Sequence, residues 1–268
     1  MKIVEILQNA NDKSTRFDKA PASSRNNLLA INSRKKGSVN KVIKNLSHKA
    51  PYVSIDTVRN WLAEQKMSYS PETIKTYLSR QQKAGKIFDA GRGWYSSIAT
   101  PYQLDTAPVE KLIGELKQAF PLLGFACWST RQLNDMLRHQ LAKHVQFVYV
   151  ERDAIDSVSD WLRDHGYHTY ANPGKAAIRQ SFSIEENTAI VLPLTTKAPY
   201  QDGTATIEKI LVDVLADANP YEIINIPEFT AGANSIISSQ RIDISTLISY
   251  AARRKTDITH ITKEITIN

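Results

Sequence analysis

Thr73, Lys75, Thr76, Ser79, Arg80 and Lys83 recur within the stretch SPETIKTYLSRQQKAGK at a spacing that puts them on one side of a helix, with Ile74, Tyr77 and Leu78 on the other. The outward side reads as hydroxyls and cations without a carboxylate. Such a face suits a polyanion: Arg and Lys donate to the guanine acceptors of the major groove, while Ser and Thr hydroxyls serve bases or phosphates. Just beyond it, KIFDAGRGWYSS opens with Lys86 and sets Arg92 between Gly91 and Gly93. An arginine on a glycine-flanked tip can approach a phosphate or a minor groove closely. Lys66, Lys83 and Lys86 are expected to act through phosphates, which add affinity without sequence information.

The elements that must hold these residues are legible around them. Ser70 is a good N-cap, Pro71 fits the first helical position where no amide hydrogen is needed, Glu72 favours the positive helix end, and Gly85 closes the helix. Upstream, Ser54 can cap a helix striped with Ile55, Val58, Trp61 and Leu62. Val39, Val42, Ile43 and Leu46 mark a still earlier helix, broken at residues 48–51. Downstream, residues 86–89 and 94–97 read as strands joined by a turn. Three helices followed by a hairpin with a basic tip is the order of a winged helix-turn-helix, expected to bind DNA over residues 39–100.

Charge is distributed in the same sense. Residues 1–100 hold 18 Lys and Arg against 7 Asp and Glu, whereas residues 101–268 hold 16 against 20, within a net charge of +7. A basic front on an acidic back predicts one half that meets a polyanion and one that does not. Residues 10–38 are rich in Asn, Ser, Lys and Arg and poor in apolar anchors. Residues 1–38 are therefore expected to be largely flexible, either as a solvated linker or as an arm reaching phosphates through Arg25, Arg34, Lys35 and Lys36. No stretch approaches the run of about 18 apolar residues that spans a bilayer. The opening MKIVEILQNANDK lacks the basic start and cleavage site of a secretory signal, so a cytoplasmic protein is expected, with no membrane partner. The single cysteine, Cys127, cannot form an internal disulfide or a metal cage and is expected to be buried.

Past a Pro-containing boundary at residues 101–108, helices are expected at residues 109–120, 130–144, 154–165 and 206–216 and through most of 223–263. Strands are expected at residues 121–128, 145–150 and 188–194, whose continuous apolar runs suit burial on both faces. The expected fold class is α/β or α+β, a winged helix-turn-helix followed by a larger mixed α/β domain over residues 101–268 that ends in helices. Catalytic signals are sparse. Glu151 and Asp153, two apart after a strand, have the alternation with which nucleotidyltransferases hold magnesium, and Gly124 and Ser129 precede them. The Gly-Ser dipeptide of such enzymes is missing, and acids are ordinary at a helix start. A magnesium-dependent nucleotidyltransferase fused to a nucleic-acid-binding winged helix is therefore the alternative to a non-enzymatic regulator. His139 and His144 are five apart, unlike a zinc pair on one helical face, and His165 and His168 flank Gly166 at a helix end. Neither a phosphate-binding glycine loop nor a hydrolase elbow occurs, and no cofactor or metal is expected.

Taken together, AGKIFDAGRGWYSS, TATIEKILVDVLAD and ISTLISYAARRKT resemble the antitoxins of AbiE-type (abortive infection, type IV) toxin-antitoxin systems. The first is similar to the family's closing pattern of a winged helix. The second carries an acidic pair (Glu208, Asp213) within an apolar run, and the third a Tyr and a double Arg (Tyr250, Arg253, Arg254) like the family's terminal helix. The resemblance covers roughly residues 40–260. It implies a regulator that represses its own operon by binding inverted repeats in its own promoter, and that counteracts a nucleotidyltransferase-like toxin without necessarily forming a stable complex. It carries over Lys75, Arg80 and Arg92 as contacts to double-stranded DNA. The basic segment at residues 10–38 departs from the shorter N-termini of that family and leaves room for another contact.

Overall fold

The computed structural model describes residues 50–263 and residue 265. The expected first helix, with Val39, Val42, Ile43 and Leu46, and the basic residues Arg25, Arg34, Lys35 and Lys36 lie outside the described residues. Among the described residues, eight α-helices and two sheets make an α+β architecture.

Strand β1 (Tyr52–Ser54) runs directly into helix α1 (Ile55–Glu64), α2 (Pro71–Lys83) follows, and β2 (Phe88–Asp89) and β3 (Trp94–Ser96) form a hairpin. The three strands form one antiparallel sheet in the order β1-β3-β2. The switch from strand to helix occurs at Ser54, whose hydroxyl accepts the Thr57 N–H at 2.9 Å and satisfies one of the orphan donors of the first turn. Val58 and Leu62 from α1 meet Ile74 and Leu78 from α2 over Val53, Ile87 and Tyr95, a small core that fixes how α2 stands on the sheet.

The larger unit begins with α3 (Ala107–Ala119), then β4 (Phe125–Ser129), β5 (Val145–Val150), α4 (Ile155–Asp164), β6 (His168–Ala171), α5 (Lys175–Ser181) and β7 (Thr188–Pro193). It ends with β8 (Tyr200–Gln201), β9 (Thr204–Ala205), α6 (Ile207–Asp213), α7 (Ile226–Ser239) and α8 (Ile244–Arg254). Its six strands are ordered β6-β7-β5-β4-β9-β8, with β5 parallel to β7 and antiparallel to β4. Helices cover both faces, which is why β4, β5 and β7 are apolar without alternation. Phe125, Cys127, Val148, Val150 and Val191 pack under α3 and α4. Trp128, Phe147 and Tyr149 pack under α6, α7 and α8, with Trp128 stacked on Phe147 at 4.3 Å between ring centroids. Cys127 is fully buried, and burial pushes its thiol pKa up, so it packs as a small apolar group.

Three departures from the sequence expectations have physical causes. Residues 130–144 do not form an α-helix: a 3₁₀ turn, Thr130–Met136, gives way to extended chain. Side chains supply the acceptors that a helix would have used. Glu228 accepts the His139 N–H at 2.8 Å, and Asn134 accepts the Leu141 N–H at 3.4 Å. The helix expected over residues 206–216 is α-helical only to Asp213 and continues as a π turn, Val214–Ala218. The helical region expected over residues 223–263 is two helices, broken where Gln240 turns extended and Asp243 caps α8 by accepting from Thr246 N–H. Strands β1, β6, β8 and β9 and helix α5 are additions that carried no strong local period.

That break is where the small sheet docks. Tyr52 is fully buried, its hydroxyl donating to Gln240 O and accepting from Ile242 N–H, both at 3.0 Å. Arg241 donates to Ile98 O at 3.0 Å and Ala99 O at 2.8 Å. Burial, the dominant cause, pushes the Tyr52 phenol up to about 12 from an ordinary 10.0. The unfolded chain therefore releases this proton first, so the stability tied to Tyr52 is complete below pH 10 and is lost as pH rises toward 12. Thermal melts should show a falling midpoint across that window and a smaller fall in Tyr52→Phe, from a lower starting stability. An identical alkaline fall in the variant would assign the effect elsewhere.

Candidate nucleic-acid interface

Helix α2 is started by three local devices. Ser70 Oγ accepts the Thr73 N–H at 3.2 Å, Pro71 occupies the first turn, and the Glu72 carboxyl is held below the usual range by its own backbone N–H and by Ser70. Ile74 and Leu78 are fully buried against α1, which turns the opposite side of the helix outward. Lys75, Thr76, Arg80 and Lys83 are exposed there, and Thr73 and Ser79 are half-buried. The face is less purely cationic than its spacing implies, because Glu72 is exposed in the same first turn. Two of the hydroxyls are also engaged: Thr73 Oγ1 lies 3.1 Å from Ser70 Oγ, and Thr76 donates to Glu72 O at 2.8 Å. Thr76 keeps acceptor capacity, whereas the cations keep their donors unengaged among the described residues.

Among the described residues, no carboxylate lies within ion-pair distance of Lys75, Arg80, Lys83, Lys86 or Arg92. Arg59 on α1, by contrast, is held by Asp56 at 2.9 Å. Arg80 lies over the Tyr77 ring at 5.9 Å, which restrains its swing. Lys66 is exposed at the end of α1 in left-handed backbone, φ 57°. Lys86 sits just before β2, and Arg92 is exposed at the hairpin turn, between Gly91 (φ 98°) and Gly93 (φ 80°).

The hairpin tip is not a free loop. Ala90 is 2 % exposed and belongs to the large core, and its carbonyl accepts the Ile244 N–H at 2.9 Å. A Cβ on Gly91 would stand 2.0 Å from Asp243 Oδ1 and 2.7 Å from Ser245 Cβ. Within residues 90–93, Ala90 is buried, Gly91 and Gly93 are half-buried and Arg92 is exposed.

Asp213, Tyr250 and Arg254, three of the residues that carry the family resemblance, meet in a buried ionic network between α6, α8 and β5. Asp213 accepts from Lys209 Nζ, from Tyr250 OH at 2.8 Å and from Arg254 Nη1 at 3.1 Å. Arg254 Nη2 reaches Asp217 at 2.6 Å, and Tyr149 OH donates to Asp217 at 2.8 Å. Lys209 is fully buried, with Nζ 3.3 Å from the Tyr149 ring centroid. Desolvation pulls the Lys209 pKa down and pushes that of Asp213 up, each opposed by the partner charge. Sequence reading missed Lys209. Its signal was a Lys and an Asp four apart inside a helix with no polar side. Glu208 lies beside the network and accepts the Asp243 N–H at 2.9 Å, while Arg253 donates to Lys197 O at 2.8 Å.

The alternative magnesium pair does not share a strand face. Strand β5 ends at Val150, and Glu151 and Asp153 are exposed around a 3₁₀ turn, Arg152–Ala154, where period-two alternation no longer applies. Gly124 precedes β4, Ser129 ends it, and the Ser129 hydroxyl accepts from Arg131 N–H. Among the described residues, no group of three or more His, Cys, Asp or Glu is arranged to hold a metal ion. His139 faces Glu228, His144 sits before β5, His165 stacks on Trp161, and His168 hydrogen-bonds Tyr170 at 2.8 Å. No helix among the described residues is long and apolar enough to cross a membrane.

A protein-family model described as a family of unknown function matches residues 73–268, and no curated protein matches the chain.

Proposed function

The chain belongs to DUF6577, a family of unknown function, and from its own geometry we propose that it is a cytoplasmic DNA-binding regulator whose described residues 50–97 form the later part of a winged helix-turn-helix. The observation that carries the reading is the set of five exposed cations, Lys75, Arg80, Lys83, Lys86 and Arg92, that lack an acidic partner among the described residues on α2 and the hairpin after it. Surface cations are usually balanced by nearby acids. A run of unbalanced ones on a well-anchored helix and a tight turn supports a phosphate-lined partner. The strand-helix-helix-hairpin order and the β1-β3-β2 sheet support the winged-helix assignment. In this reading α2 enters the major groove of double-stranded DNA and Arg92 contacts the flanking backbone.

The resemblance of AGKIFDAGRGWYSS, TATIEKILVDVLAD and ISTLISYAARRKT to AbiE-type antitoxins supports a finer proposal: the protein represses its own operon and counteracts a nucleotidyltransferase-like toxin. It acts by binding, without a cofactor. A downstream reading frame for a nucleotidyltransferase-like protein, and growth rescue on co-expression with it, would support the pairing. A neighbouring gene of unrelated type together with no rescue would remove it.

Binding to duplexes at graded salt tests the DNA reading itself. Arg92→Ala should weaken all sequences about equally and reduce the salt slope by roughly 1, whereas Arg80→Ala should also relax a sequence preference. Equal losses on preferred and random duplexes for both variants would reject base reading by Arg80.

A further inference from the structure

We propose that residues 240–245, the break between α7 and α8, are a positioning element for Arg92: they set where the hairpin tip stands relative to α2. This rests on the DNA reading above.

The hairpin is too short to define its own direction. Strand β2 has two residues, and Gly91 O accepts the Trp94 N–H at 2.9 Å, closing a tight turn around Arg92. Its orientation is instead set from outside. The Ile244 N–H, a free donor of the first turn of α8, is donated to Ala90 O. Asp243 is held in turn: its N–H goes to Glu208 Oε1, and its Oδ1 accepts from Thr246 N–H at 2.8 Å. That fixed carboxylate sits where a Gly91 side chain would be, so the tip is seated against it at a distance only glycine permits. At the base of the hairpin, Arg241 ties Ile98 O and Ala99 O, just past the end of β3, and lies 5.0 Å from the ring centroid of Phe88 on β2. Both ends of the hairpin are therefore fastened to one six-residue segment, and α8 continues from that segment to Arg254 in the buried network. Arg92 and α2 consequently meet a duplex as parts of one body with the large sheet.

A double-mutant cycle on the full-length chain tests this, using a random-sequence 30-bp duplex at physiological salt and melting curves to establish folding. Arg92→Ala should weaken binding roughly fivefold, the loss of about one phosphate contact. Gly91→Ala should cost about the same, and the two together should cost no more than either alone, because a displaced tip has already lost Arg92. Since Gly91→Ala also imposes a strained backbone, Arg241→Ala provides the second arm and should show the same non-additivity with Arg92→Ala. Losses that add in both cycles, or Gly91→Ala and Arg241→Ala binding like wild type while Arg92→Ala does not, would overturn the positioning role alone. No binding by the wild-type chain would remove the DNA reading and this proposal together.

Discussion

Asp213→Ala is expected to lower unfolding stability by about 3–5 kcal/mol, the cost of removing one partner from a buried charge pair. The carboxylate is fully buried and accepts from three side chains, so its loss strands more than one donor. Among the described residues, Lys209 would keep the Tyr250 hydroxyl and the Tyr149 and Tyr250 rings around an ammonium with no access to water. Arg254 would keep Asp217 and is 14 % exposed, so the larger share of the penalty falls on Lys209. Denaturant unfolding would register the change as a lower midpoint. Replacing the pair together, Lys209→Met with Asp213→Leu, should recover most of the loss, since apolar groups of similar volume often substitute for buried ion pairs without cost. A single substitution costing less than about 1 kcal/mol would show that the pair is not desolvated as described.

Lys75→Ala, Arg80→Ala and Lys83→Ala combined are expected to reduce duplex affinity by at least about 100-fold at physiological salt and to lower the salt slope by roughly 3. The three side chains are exposed on α2 and lack an acidic partner among the described residues, so removing them breaks no ion pair and leaves no buried group unsatisfied. Ile74 and Leu78, which hold the helix in place, are untouched. Stability should therefore stay within about 0.5 kcal/mol of wild type, the usual range for surface changes away from special features. A variant that melts like wild type and binds DNA like wild type would remove α2 as the contact surface.

How far local sequence reaches can be seen by comparing elements. Helix α2 was readable because its start is built from neighbours, Ser70 capping and Pro71 in the first turn, and its apolar side has the helical period. Strand β5 was readable at residues 145–150 because burial on both faces leaves an uninterrupted apolar run. Residues 130–144 misled because their backbone donors are satisfied from far away, His139 by Glu228 across 89 positions. The exposed cations of the candidate interface were likewise legible from spacing alone. The seating of the hairpin tip was not, because it depends on residues 240–245, and the Tyr52 hydroxyl finds Gln240 O 188 positions along the chain. Lys209 stayed hidden for a related reason: a lysine inside an apolar helix announces a partner, but Tyr149 and Tyr250 come from other elements.

The most direct test of the central claim is electrophoretic mobility of duplex DNA from the chain's own upstream region, at low ionic strength, with increasing full-length protein. Retardation that weakens steeply with added salt, at a slope of roughly −4 to −5 in log affinity against log salt, is the expected result. Absence of retardation for that fragment and for any other double-stranded fragment would contradict the assignment of α2 and Arg92 to DNA.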